Sequence, residues 1–342
     1  MAVVLCGWLE VGLYLDGWAH VHVPQIETFF TPWHAVLYTG FLAVSVFTLG
    51  ALARNMARGA TWRRALPTGY GLSALGIAVF VAGGAGDMFW HLLFGIEVDV
   101  EAVLSPTHLL LAAGGTLILG GPLRSAWRTP ESGTWSWPAR VPMLLSLAFV
   151  LSSLAFFTYY AHPLSRPWAA LGNQPAAGWF PLQAPDPLLT YGVNNRVLGH
   201  AIGITGILLQ TGLLMGFVLA LVTRWGATLP GGSLTIVFTV NATLMGLMRD
   251  QAVLIPAAAA AGIASDLLLW WVGPSPQNRM GLRIFAAAVP AIYYCFYFLV
   301  VILAKGIWWS VHLWTGAIAL AGVVGWLLSY LVVPPGTSST AG

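Results

Sequence analysis

The residue types in this 342-residue chain that could do chemistry occur as a set, and the set occurs twice. The first copy reads Asp16-Gly-Trp-Ala-His20, then Glu27-Thr-Phe-Phe-Thr31-Pro32-Trp-His34. The second reads Asp87-Met-Phe-Trp-His91, then Glu101-Ala-Val-Leu-Ser105-Pro106-Thr-His108. Both follow Asp-x3-His, a linker, then Glu-x3-[Ser/Thr]-Pro-x-His, and only the linker differs, by three residues. With six Asp and eight His in the whole chain, less than one Asp-x3-His pair is expected by chance, so an internal repeat is the better account.

Asp and His at i and i+4 lie on one helical face, a turn apart. Pro32 and Pro106 suit the first turn of a following helix, with Thr31 or Ser105 as its N-cap, which sets His34 and His108 on that turn. A helical hairpin built this way gathers one carboxylate and two imidazoles. Two His and one carboxylate form a ligand set for copper, iron or zinc that leaves positions open for water or substrate. The candidate metal ligands are therefore Asp16, His20 and His34, and Asp87, His91 and His108. Glu27 and Glu101 each precede the second His by seven residues, and each is a fourth ligand or an acceptor that fixes an imidazole tautomer. The competing reading is structural: Asp–His hydrogen bonds that pin the two hairpins.

The elements that must position these residues are membrane helices. The chain is 58% hydrophobic and 7% charged, against about 25% charged in a typical soluble domain. Its apolar runs are long, which indicates an all-α polytopic membrane bundle and not the alternating ten-residue segments of a β-barrel. About ten spans are expected, at 2–20, 32–53, 68–91, 104–122, 140–161, 195–223, 233–248, 251–272, 283–304 and 307–333, the seventh being short. Ala2 to Tyr14 is apolar without a basic leader and reads as the first span, not as a cleaved signal. The expected organisation is a single transmembrane domain over 1–342, with repeated metal-motif hairpins at 1–53 and 68–122. The remaining six helices occupy 140–333, with an outer loop at 162–194 that is a lid or a docking surface. Gly83, Gly84, Gly86, Gly114 and Gly115 are expected to let helices approach closely.

Loops after the even-numbered spans carry ten of the fourteen Lys and Arg residues. The positive-inside rule then places both termini in the cytoplasm and the eight histidines on the outer side. The net charge of +3 belongs to these loops and gives no reason to expect nucleic-acid binding. Cys6 and Cys295 fall in separate apolar spans and form no CxxC pair. His22 and His162 read as interfacial anchors, while His200 and His312 either line a cavity or cap helix contacts. Glu10 and Asp266 lie within spans, where they form a proton route or pair with polar neighbours. Arg249 and Asp250 read as a loop ion pair, and the 17 Trp as an interfacial belt.

Asp16, His20 and His34, with Phe30-Thr31-Pro32-Trp33 between, resemble the metal-binding stretch of the C subunit of the copper membrane monooxygenases, the particulate methane and ammonia monooxygenases. Asp87, His91 and His108 match it more loosely, through Leu104-Ser105-Pro106-Thr107. The resemblance covers the two motif stretches and not the whole chain. It implies copper as the metal, bound within a membrane subunit by the Asp and the two His.

Three functions are compatible with the residues. One is a copper-dependent oxidase or monooxygenase-like protein acting on a small apolar substrate, with Asp16, His20 and His34 as the catalytic site. The second copy, with Glu97, Asp99 and Glu101 hardening its linker, then has a structural or entry role. Another is a transporter or delivery protein for copper or zinc. The third is a haem protein with His axial ligands and no covalent attachment motif. Expected partners are the lipid bilayer, other membrane subunits, and a periplasmic or extracellular redox or metal partner.

Overall fold

The computed structural model describes residues 1–23, 30–95, 99–129, 137–176, 179–181 and 192–335. Its helices are α1 (Ala2–His22), α2 (Pro32–Ala57), α3 (Gly71–Phe94), α4 (Asp99–Leu104), α5 (Pro106–Leu119), α6 (Gly121–Arg128), α7 (Trp137–Phe156), α8 (Asn195–Trp225), α9 (Ser233–Met248), α10 (Ile255–Val272), α11 (Arg279–Lys305) and α12 (Val311–Val332). A short antiparallel pair, β1 (Trp179–Pro181) and β2 (Gly192–Asn194), is the strand structure among the described residues.

Eight of the helices described are long and apolar enough to cross a membrane: α1, α2, α3, α7, α8, α10, α11 and α12. The chain is thus a multi-pass helical protein of membrane type. Helices α5 and α6 meet the same test together but are bent by 43° at their junction, and α9 has only 16 residues. The bend is supported from α7: Ser146 Oγ donates to Leu119 O at 2.5 Å and accepts from Leu123 N–H at 3.1 Å. One hydroxyl therefore satisfies a carbonyl and an amide at the break, as a non-aqueous surrounding requires.

The chain divides into two compact units. The first comprises Met1–Tyr160 and Ile236–Ala252, the second Ala161–Thr235 and Val253–Gly342. In the first unit α1 lies along α2, α3 along α5, and both hairpins contact α7. Small residues permit these approaches. A Cβ at Gly12 would stand 2.7 Å from Leu37 Cα, and one at Gly114 would stand 2.6 Å from Phe80 N, so no larger residue fits without moving backbone. Gly83 and Gly114 thus act as expected between α3 and α5.

In the second unit α11 packs on α12 and α10, and α8 on α12. The Arg283 guanidinium donates to the Ser329 and Val333 carbonyls, placing a cation at the C-terminal end of α12. Asp266 is fully engaged as a cap: its carboxylate accepts from Leu234 N–H, Thr235 N–H and Thr235 Oγ1 at 2.7–3.0 Å. Of the two roles expected for Asp266, pairing with polar neighbours is the one found.

Candidate metal centre

Helix capping builds both halves of the site. Thr31 caps α2, its Oγ1 accepting from His34 N–H at 3.1 Å, with Pro32 in the first turn. Ser105 caps α5, its Oγ accepting from His108 N–H at 3.4 Å, with Pro106 in the first turn. The second His of each copy is thereby held on the first turn of its helix and faces the Asp-x3-His turn ending the partner helix.

Asp16, His20 and His34 meet as one group, and Asp87, His91 and His108 as another. In each, one atom per residue lies within 4.8 Å of the other two. In the first, Asp16 Oδ2 is 3.8 Å from His20 Nε2 and 3.3 Å from His34 Nε2. In the second, Asp87 Oδ2 is 3.3 Å from His91 Nε2, and Asp87 Oδ1 is 3.5 Å from His108 Nδ1. The contacts of 3.3–3.5 Å are those of long hydrogen bonds, and His91 engages the Asp87 carboxyl in this way. Three of the four separations also fit ligand atoms that share one ion, since donors roughly 2.0–2.2 Å from a metal stand about 3–3.6 Å from each other; the 3.8 Å Asp16–His20 separation is longer. A third Asp–His contact provides the contrast. His22 Nε2 is only 2.6 Å from Asp250 Oδ2, a direct hydrogen bond, and His22 Nδ1 lies 2.8 Å from Trp18 O. That pair anchors the end of α1 and has no second imidazole. It also corrects the loop ion pair expected between Arg249 and Asp250: Arg249 lies over the Tyr159 ring at 5.4 Å, and Asp250 turns to His22 from a left-handed backbone (φ 54°) that Asp tolerates.

The surroundings orient the second group most visibly. Thr107 Oγ1 donates to Asp87 Oδ1 at 2.9 Å and His91 Nδ1 lies 3.2 Å from Gly95 O, whereas Ser105 Oγ shares a 2.6 Å hydrogen bond with His108 Nδ1, the nitrogen nearest Asp87, which a metal there would have to displace. A His Nδ1–H donating to a carbonyl leaves Nε2 with the lone pair, the tautomer a metal needs. In the first group Trp33 replaces Thr107 and packs edge-on against Trp18, with ring centroids 5.7 Å apart.

Both groups open on one cavity of about 710 Å³ within the first unit. Asp16, His20, His34, Asp87 and His108 line it, while His91 is not among its lining residues. Apolar side chains form most of the remaining wall, including Leu13, Leu37, Phe80, Leu111 and Phe156. Tyr38, one turn after His34, lines the same space, with its ring 6.1 Å from the His34 ring and 6.3 Å from Phe80. Glu10 also faces the cavity; it is completely buried and accepts from Ser153 Oγ at 2.8 Å.

The other sequence candidates separate from this site. Glu27 and Glu97 lie outside the described residues, as do parts of the 162–194 loop. Glu101 is exposed on α4 and stands outside the three-residue group. His162, His200 and His312 belong to the second unit. His162 is buried, its Nδ1 accepts from Leu164 N–H at 3.0 Å, and burial pushes its ring down to about 3. It is a neutral structural imidazole. The His200 ring stacks on Trp308 at 4.4 Å, and His312 is exposed. Sequence reasoning missed Thr107 and Tyr38. The signal for Tyr38 was its spacing of four from His34; Thr107 sits in the variable position of Pro-x-His and carried none.

No family model, curated protein or solved structure matches the chain.

Proposed function

We propose that this chain is a membrane metalloprotein that binds two transition-metal ions, most simply copper, in one cavity of its N-terminal unit, and oxidises a small apolar molecule at the Asp16–His20–His34 site. The observation that carries the reading is the grouping: each copy of the motif brings one carboxylate and two imidazoles together, with one atom per residue within 4.8 Å of the others. Copper is favoured over zinc and iron by the motif resemblance and by the strength with which imidazole-rich sites take Cu(II). The substrate class follows from the cavity wall, where Leu, Phe and Ala exceed polar groups away from the ligands. Copper would supply the redox chemistry, with electrons from another membrane subunit or an outer redox partner. Asp16, His20 and His34 would hold it, and the apolar wall would orient the substrate and exclude water.

On this reading the chain crosses the membrane ten times, counting α5–α6 and α9 as spans, and hairpins α1–α2 and α3–α5 are copies of one unit. Both termini are cytoplasmic, and the metal cavity faces outward.

Metal handling without catalysis is the second reading. Of the two membrane-embedded acids that a transport path would use, Asp266 is committed to capping α9, which leaves Glu10 alone and weakens this reading. A bound haem is the third. Metal analysis and absorption spectroscopy of the purified protein test all three. Two copper ions per chain without a Soret band are expected. Absence of metal from both groups, or a haem spectrum, would overturn the proposal. Oxidation of a small hydrocarbon by the copper-loaded protein supplied with dioxygen as oxidant and an added reductant separates catalysis from handling.

A further inference from the structure

We propose that Glu10 is the proton-exchanging counter-group of the cavity: it holds a proton when the metals are absent and releases it when they bind. The inference rests on the two-metal reading above. Four observations support it. Glu10 has no exposed surface and lies on the cavity wall. Its Oε2 accepts from Ser153 Oγ at 2.8 Å, while Oε1 is buried without a hydrogen-bond partner. Glu10 shares the cavity face of α1 with Leu13, Asp16 and His20. It makes no ion pair among the described residues.

The titratable groups around it leave the role to Glu10. On α1 its neighbours are Cys6 and Tyr14, and the Tyr14 hydroxyl is committed to Ser152 O at 2.7 Å. The cavity is also lined by His34 and Tyr38 of α2, Asp87 of α3 and His108 of α5. Helix α7 contributes only the Ser153 hydroxyl to Glu10, and Arg249, at the cavity margin, lies over Tyr159. An isolated carboxylate in apolar surroundings is costly, so without metal the carboxyl keeps its proton.

Two divalent ions change the balance. They bring four positive charges against two from Asp16 and Asp87, which leaves an excess of two in a poorly screened space. Six residues along a helix place Glu10 about 9 Å from Asp16 in axial rise, and one unit charge at that distance and an effective dielectric near 20 shifts a proton equilibrium roughly twentyfold. The step is a simple ionisation. The carboxyl O–H bond breaks, the carboxylate remains with Ser153 still donating to Oε2, and the proton leaves through the cavity to water.

The test is a titration of the purified, metal-stripped chain with Zn(II), a redox-silent probe, in weak buffer with a pH-indicating dye. Protons released and ions bound are counted together. Glu10→Gln is expected to bind the same number of ions, release one proton fewer per chain, and bind less than twentyfold more weakly. Glu10→Asp should restore the proton. If Glu10→Gln does not fold, the wild-type infrared difference spectrum decides: zinc should remove one protonated-carboxyl C=O band that shifts in D₂O, and its persistence overturns the inference. Equal proton release from wild type and Glu10→Gln at full occupancy overturns the inference and leaves the metal reading standing. Failure of the wild type to bind zinc or copper overturns both.

Discussion

The two Asp/His/His groups share side-chain types, helix positions and capping, yet they differ in how the protein holds them. In the second, Asp87 is 2% exposed and braced by Thr107. In the first, Asp16 is 14% and His20 26% exposed, and Trp33 has no hydroxyl to offer the carboxylate. One substitution in the variable position of Pro-x-His therefore separates a braced site from an open one. A braced carboxylate favours permanent occupancy, whereas an open site favours exchange of a ligand for substrate. Under the proposed function, this difference assigns ligand exchange to the first copy.

The broadest break of the comparison is loss of the ion itself. Three protein ligands leave little redundancy, so His20→Ala or His34→Ala should leave one metal per chain, and His91→Ala or His108→Ala should remove the other. The His20→Ala/His91→Ala double variant should hold none, as read by metal analysis. Full occupancy in that variant would return both groups to structural hydrogen bonding.

A finer cut removes the bracing alone. Thr107→Val keeps the shape and deletes the donor to Asp87, so affinity at the second site should fall about 10–100-fold while the first is unchanged. Competition with a chelator of known strength measures both sites, and equal loss at the two would show that Thr107 does not distinguish them.

The same contrast extends to an imidazole without a carboxylate. His162 is buried and neutral, its ring pushed to about 3 by desolvation. The unfolded chain protonates this residue below about pH 6.5 while the folded chain does not. Stability is therefore full above that pH and falls as the pH drops toward 3, with about 2 kcal/mol lost at pH 5. Denaturant unfolding in micelles between pH 7 and 5 should show the loss, and His162→Gln should flatten it. An unchanged slope in that variant assigns the acid sensitivity elsewhere.

The smallest effect is kinetic. A mild chelator should strip the more open Asp16 site several-fold faster than the Asp87 site, a modest ratio because both open on one cavity. Stopped-flow metal release resolves two phases, and loss of the fast phase in His20→Ala assigns it. Loss of the slow phase instead would reverse the comparison.

Local features were legible in the chain because local chemistry decides them. Apolar length marked the eight helices long enough to cross a membrane, while the expected span at 104–122 is the α5–α6 pair bent by 43° and that at 233–248 is the 16-residue α9. Thr31-Pro32 and Ser105-Pro106 announced caps that need only neighbouring backbone, and the i,i+4 spacing placed Asp and His on one face. Arg249-Asp250 misled because adjacent opposite charges invite a local pairing, while Asp250 found a partner 228 residues away. Asp266 looked like a proton carrier because the sequence does not reveal that the first amides of α9 come to it.

By itself, then, the sequence determined a multi-pass helical protein with two capped Asp/His/His hairpins, since hydrophobic length, capping and helical period act within a few residues. Tertiary structure decided that both groups open on one cavity, that Thr107 braces only the second, and that Glu10 is buried against Ser153, 143 residues distant. These outcomes depend on which helix faces pack together. Small residues such as Gly12 and Gly114 permit that packing, but the pattern along a single strand of sequence does not specify which partner meets them.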